Sequence, residues 1–234
     1  LIRLTSEVEA YTNARFENLG FFDSVDEARD GGATIILISD RDSSFYDADD
    51  EDALLAMGLF PDFGTDDGDP PFDLGGLLIL NENDWLILHP EDYPIDVDGP
   101  PIPGTEPFQT RLHEFGHVLG MKHPHDDGGK DRPTFEDIGF ADFDDYEFTQ
   151  MSYNNLTGAN AEGGYINSPS TFMAFDVVAL MYMYGINEQT NSGDTVHLVE
   201  TTSTRTSIWD AGGDDTIDAS LVLQSLTISL PYYN

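Results

Sequence analysis

The chain has 234 residues, no cysteine, and 45 acidic against 9 basic side chains, a formal net charge of −36. A surface of that sign repels DNA, RNA and anionic membranes, and a chain without thiols offers neither a disulfide nor a thiolate metal site. Apolar residues at 39% and aromatics at 12% suffice for a packed core, and no apolar run reaches the 18 or so residues that would predict membrane insertion.

In chain order, "LIRLTSEVEAYTNARFENLG" (1–20) places Leu1, Leu4, Val8, Tyr11 and Leu19 at roughly helical intervals. This spacing predicts an amphipathic helix closing near Gly20. "ATIILIS" (33–39) is a continuous β-branched run between glycines and aspartates, as a buried strand requires. "ALLAMGLF" (53–60) is either a second strand or a short helix, and periodicity does not decide. "GGLLILN" (75–81) is the better strand. The acidic runs "DADDED" (47–52) and "DDGDP" (66–70) read as solvated loops. The excess of acid over lysine suits a protein working in salty water, where screening removes self-repulsion.

A proline-rich connection (90–107) leads to a helix predicted from about Phe108 to Met121, which Gly120 and Pro124 stop. An acidic loop (125–148) follows, then "TQMSYN" (149–154) and a second strong helix over 170–184, ended by Gly185. Beyond about 190, short β-like runs alternate with glycine-aspartate turns. The expected class is therefore α+β, with one domain over 1–188 and a β-rich segment over 189–234.

Four of the six histidines crowd into "RLHEFGHVLGMKHPH" (111–125). On a helix, His113 and His117 stand four residues apart and face one ion, while Glu114 is placed to hold a water rather than the metal. His123 reaches the same ion only if the chain bends sharply, and Gly120 stands where that bend must occur. Three protein ligands with one open position are what a catalytic zinc takes. The stretch fits H-E-x-x-H-x-x-G-x-x-H, a pattern tied to a later Met-turn, and Met151 follows 28 residues beyond His123. His125 continues no ligand spacing and reads as a loop residue. His89 and His197 stand alone.

With "HEFGHVLGMKHP" (113–124), "MSY" (151–153), "TFMAFDVVALMYMYGIN" (171–187), "SGDT" (192–195) and "WDAGGDDTIDAS" (209–220) taken together, the chain resembles the serralysin-type metzincins, secreted bacterial zinc endopeptidases. The resemblance implies a twisted, mostly parallel sheet with an active-site helix and a C-terminal-subdomain helix, followed by the start of a calcium-binding region. It lays "GGLLILNENDW" (75–85) on the substrate-binding edge strand of that sheet. It implies Zn2+ on His113, His117 and His123, with Glu114 as general base. Tyr153 would be a further zinc ligand that swings away to stabilise the oxyanion, and Met151 the apolar floor. It also implies a structural Ca2+ held by the carbonyls of Asn191, Gly193 and Thr195 with Asp210, Gly212 and Asp215.

The partners expected from this resemblance are protein or peptide substrates, and the protein is expected to be a secreted, extracellular monomer. No tandem repeats follow, so the family's calcium β-roll is expected to be absent or outside this sequence. A catalytically silent, calcium-stabilised binding module that kept the shell is the competing reading, against which Glu114 and the three histidines argue. A thermolysin-like zincin with a glutamate third ligand fits less well, because His123 and Gly120 already supply the third position.

Overall fold

A computed structural model describes residues 2–40, 56–58, 76–81, 103–127, 132–154, 168–199, 204–223 and 225–230. In chain order these contain α1 (Ile2–Tyr11), α2 (Val25–Asp30), β1 (Ile36–Asp40), β2 (Ala56–Gly58), β3 (Leu77–Asn81) and α3 (Glu106–Val118). They continue with a 3₁₀ turn (Ala141–Phe143), α4 (Ala174–Tyr184), β4 (Val196–Leu198) and β5 (Thr216–Asp218). The acidic runs at 47–52 and 66–70, His89, residues 90–102 of the proline-rich connection, and most of 151–170 lie outside the described residues.

The first helix is shorter than its periodicity predicts. It ends at Tyr11, and Leu19 is 46% exposed instead of continuing the apolar stripe. The cause is tertiary: Thr12 pairs with Ile186 across an antiparallel bridge, and Asn13 N–H donates to the Gly185 carbonyl. Backbone groups that would extend the helix are used to join it to the far end of α4. Sequence reading missed α2 altogether. Its signal is the S-x-x-E spacing of Ser24 and Glu27, in which the Ser24 hydroxyl accepts from the Glu27 N–H.

The ambiguous run at 53–60 contains strand β2. The described sheet has the order β1-β3-β2, with β1 parallel to β3 and β2 antiparallel to it. Among the described strands Leu77–Asn81, part of the 75–85 stretch expected at the edge, is therefore central, and β2 holds the antiparallel edge; residues 82–85 lie outside the described residues. Burial agrees, since Leu77, Leu78 and Ile79 are consecutive and all buried, as in a strand covered on both faces.

Helix α3 lies on this sheet. Phe108, Leu112, Phe115 and Leu119 recur at intervals of three and four and are buried, joined by Leu4, Val8 and Tyr11 of α1 and by Val177 and Leu180 of α4. Each such side chain contributes about 1.5–3 kcal/mol. The sheet and helix approach closely at Gly58, where a Cβ would run into the Glu114 carbonyl. Only glycine allows β2 to sit that near α3.

The described part of the acidic loop is not wholly solvated. Phe135, Phe140, Phe143 and Phe148 cluster with Phe175 of α4, ring centroids of 4.9–6.5 Å separating the contacting pairs. The polypeptide after α4 also packs back. Trp209 Nε1 donates to the Asn187 carbonyl, Asn187 Nδ2 to that of Glu9, and Thr190 Oγ1 to that of Ala10. Strands β4 and β5 form a parallel pair joining Val196 to Thr216 and Leu198 to Asp218.

Candidate metal centre

Helix α3 presents His113 and His117 on one face, and the chain leaves it at Leu119. Gly120 has φ +99°, a conformation in which a side chain is strained, and it turns the chain back toward the helix. His123 is thereby returned to the histidines it follows. Its Nε2 lies 3.1 Å from that of His113 and 3.0 Å from that of His117. Three nitrogens around one zinc at the usual bond length would stand about 3.3 Å apart.

The outer nitrogens say which protons are present. His113 Nδ1 lies 2.7 Å from the Gln150 carbonyl, His117 Nδ1 2.8 Å from the Met121 carbonyl, and His123 Nδ1 2.6 Å from Asp126 Oδ2. Each partner only accepts, so each Nδ1 is the donor there and each Nε2 is turned toward the other two histidines. Burial lowers the His113 pKa to about 3, against the Gln150 hydrogen bond, and that of His117 to about 4, against the Met121 bond. The three Nε2 atoms thus converge, that of His123 within hydrogen-bond distance of the other two. That donor set fits a borderline-soft divalent cation, zinc above all.

Beneath the histidines, Met151 is 2% exposed. Its sulfur reaches so close to Gly116 that a Cβ there would stand 2.6 Å away. Gly116 occupies a variable position of the zinc pattern, and spacing alone gave no reason to single it out. The turn bearing Met151 is held by a residue that sequence reading left without a role. Asp176, buried near the start of α4, accepts from Thr149 Oγ1 at 2.6 Å, from the Gln150 N–H at 2.6 Å and from the Met173 N–H at 2.9 Å. Burial raises its pKa to about 6 even against these bonds. Because the Gln150 carbonyl in turn accepts from His113, this carboxylate reaches the metal centre through one residue.

Glu114 is mostly buried, which raises its pKa to about 7, while the Gly58 N–H donates to its Oε2 at 2.5 Å and opposes the shift. This partner on β2 could not be inferred before the sheet was known. Tyr153 is 61% exposed. Its ring lies 4.5 Å from that of His123 and stacks 5.4 Å from that of His113. His125 is parallel to His123 at 5.1 Å.

Away from this centre, two turns of the C-terminal segment meet. Asn191 has φ +52°, and its Nδ2 donates to the Trp209 carbonyl. Thr195 N–H donates to Asp215 Oδ1, Thr195 Oγ1 to the Gly193 carbonyl, and Gly212 N–H to Asp210 Oδ1. A Cβ on Gly213 would fall 2.6 Å from the Gly193 carbonyl and 2.7 Å from Asp215 Oδ1, so only glycine lets the two turns approach this closely. His197, expected to stand alone, lies with Nε2 2.7 Å from Asp210 Oδ2.

Comparison with known proteins points the same way. The chain is 33% identical over 180 residues to Metalloprotease AprA of Pseudomonas entomophila (strain L48), covering 68% of this chain and 35% of that protein. It is 38% identical over 136 residues to Serralysin C of Dickeya chrysanthemi, half of this chain and 28% of the relative. Against Serralysin of Proteus mirabilis the identity is 35% over 137 residues, 52% of this chain and 27% of the relative. The matches span 27–35% of the length of these curated relatives. No family model matches the chain.

Proposed function

From its kinship with the serralysin-type metalloproteases, we propose that this chain carries the catalytic centre of a secreted zinc endopeptidase of the metzincin kind, acting on protein or peptide substrates. The observation that carries this reading is the convergence of three histidine Nε2 atoms, with Glu114 beside the first. When bound there, zinc supplies Lewis acidity, polarising a carbonyl and bringing the pKa of its water toward about 7.

The chain's own residues supply the rest. His113, His117 and His123 hold the ion in one orientation, because each is tied through Nδ1. Glu114 is the general base: it takes a proton from the attacking water and returns it to the departing amine. A carboxylate placed within reach of both the water and the leaving nitrogen can do both. The Gly58 N–H fixes one carboxyl oxygen and leaves the other for that exchange. Tyr153 donates to the developing oxyanion. In the metal-free protein burial, aided by the charges of Glu114 and Asp126, raises its pKa. Met151 floors the site.

The second part of the proposal is a structural Ca2+ between 191–195 and 210–215, on the carbonyls of Asn191, Gly193 and Thr195 with Asp210, Gly212 and Asp215. Carboxylate and carbonyl oxygens are the donors calcium takes, and the close approach of the two turns, joined from the Thr195 N–H to Asp215, supports the assignment. In domain terms, 1–188 would be the peptidase and 189–234 the start of a calcium-binding region.

The deciding experiment is casein hydrolysis by the wild type and by Glu114→Gln, with metal content measured alongside. The expected result is one zinc per chain in both proteins, with activity lost in the variant by about a thousandfold or more. Wild-type turnover in Glu114→Gln would remove the mechanism. A wild type that binds zinc yet leaves casein intact would favour the silent binding module.

A further inference from the structure

The acidic loop has no part in that mechanism, yet it supplies the side chain on which the setting of Tyr153 converges. Asp144 Oδ1 accepts from Ser152 Oγ at 2.6 Å, and the Asp144 carbonyl accepts from Asn154 Nδ2 at 3.0 Å. Ser152 and Asn154 are the residues on either side of Tyr153. The Asn154 N–H closes the small ring by donating to Ser152 Oγ at 2.9 Å, and the Asn154 carbonyl accepts from the Tyr146 N–H at 2.9 Å. The backbone bearing Tyr153 is thus clamped before and after it by one aspartate and the strand of chain that follows.

The other oxygen of the same carboxylate turns outward. Asp144 Oδ2 lies 3.2 Å from His125 Nδ1. The His125 ring stands 5.2 Å from that of Tyr153 and is tilted 4° from the plane of His123. Tyr153 therefore sits among His113, His123 and His125, the first two belonging to the metal centre and the third to the clamp. An exposed phenol on an unconstrained turn would distribute among rotamers. This one is held by its backbone and bounded by an aromatic wall.

We propose that Asp144, together with His125, is a positioning pair that seats Tyr153 over the metal centre and so sets how often its phenol engages a bound ion. The proposal rests on the reading of Tyr153 as a metal ligand and oxyanion donor. It assigns the acidic loop a specific task, and it assigns His125 a role outside the ligand set.

Copper(II)-substituted protein tests it without relying on activity, because a phenolate on copper gives a visible charge-transfer band. The wild type should show the band and Tyr153→Phe should lack it. Asp144→Ala should weaken the band to roughly half or less while still binding one metal per chain, as expected when a seated population is released. Asp144→Asn, whose amide oxygen can still accept from Ser152, should keep more of it. His125→Ala should weaken the band and His125→Phe restore it. With zinc, Asp144→Ala should lower kcat on casein several-fold, with KM changing by less than about twofold.

Full band intensity in both Asp144→Ala and His125→Ala overturns the clamp and leaves Tyr153 as a ligand. A wild-type band absent, or unchanged in Tyr153→Phe, removes the reading of Tyr153 and the clamp with it. If Asp144→Ala does not fold, Asp144→Asn and the two His125 variants decide by the same comparison.

Discussion

At the residue scale, Glu114 meets two opposed demands. It must stand beside the histidines, and there it is taken out of water by α3 and β2. Its pKa rises from 4.5 to about 7, burial outweighing the Gly58 hydrogen bond. In metal-free protein the sign of the resulting linkage is definite. The folded state binds this proton more tightly than the unfolded state, so the contribution to stability is greatest below pH 4.5 and is lost as pH rises through about 7. Glu114→Gln removes a charge that is costly to bury, and should stabilise the metal-free protein by roughly 2 kcal/mol at pH 8. It should change little at pH 4. Denaturant melts at the two pH values measure this, and equal gains at both would show that the carboxylate is not desolvated. Position and neighbours of Glu114 were readable from the zinc spacing, but Gly58, the group that holds it, comes from a strand more than fifty residues earlier.

At the element scale, the join between the Met151 turn and α4 is the feature on which the centre depends most. Asp176→Ala would leave the Thr149 hydroxyl and the N–H groups of Gln150 and Met173 buried without their acceptor. Each such group costs about 1–3 kcal/mol. The expected loss is about 3–5 kcal/mol of stability, together with weaker zinc retention, because Gln150 also orients His113. Thermal melts and competition against a chelator test the two halves. Unchanged zinc affinity in a folded Asp176→Ala would disconnect the turn from the ligand.

The elements themselves were unevenly legible. Helices α3 and α4 follow from their apolar periodicity and from glycine stops, which are local. The end of α1 is not local, since Thr12 and Asn13 leave the helix to pair with 185–186. The order of the strands is likewise a matter of partners, and no pattern within 75–81 distinguishes a central strand from an edge.

At the scale of the whole molecule, a net charge of −36 over 234 residues must repel itself in dilute buffer. The screening length falls from about 10 Å at 0.1 M to about 3 Å at 1 M salt. Stability should therefore rise between these salt concentrations at constant free calcium, and no gain would remove the suggestion of a saline habitat. Calcium is a separate lever. Addition should raise the melting temperature of the wild type and do so much less in Asp215→Ala. An equal response in both proteins would argue against the site between 191–195 and 210–215.

The sequence by itself determined the three histidines of the candidate centre, the bend at Gly120 and the acidic charge, because residue type, short spacing and charge are properties of the chain alone. Only the tertiary structure decided which nitrogen of each histidine faces the other two, that Gly58 and Asp176 reach Glu114 and the Met151 turn from distant segments, and that Leu77–Asn81 lies inside the described sheet. Each of these is fixed by a hydrogen-bond partner, and a partner is a property of the fold.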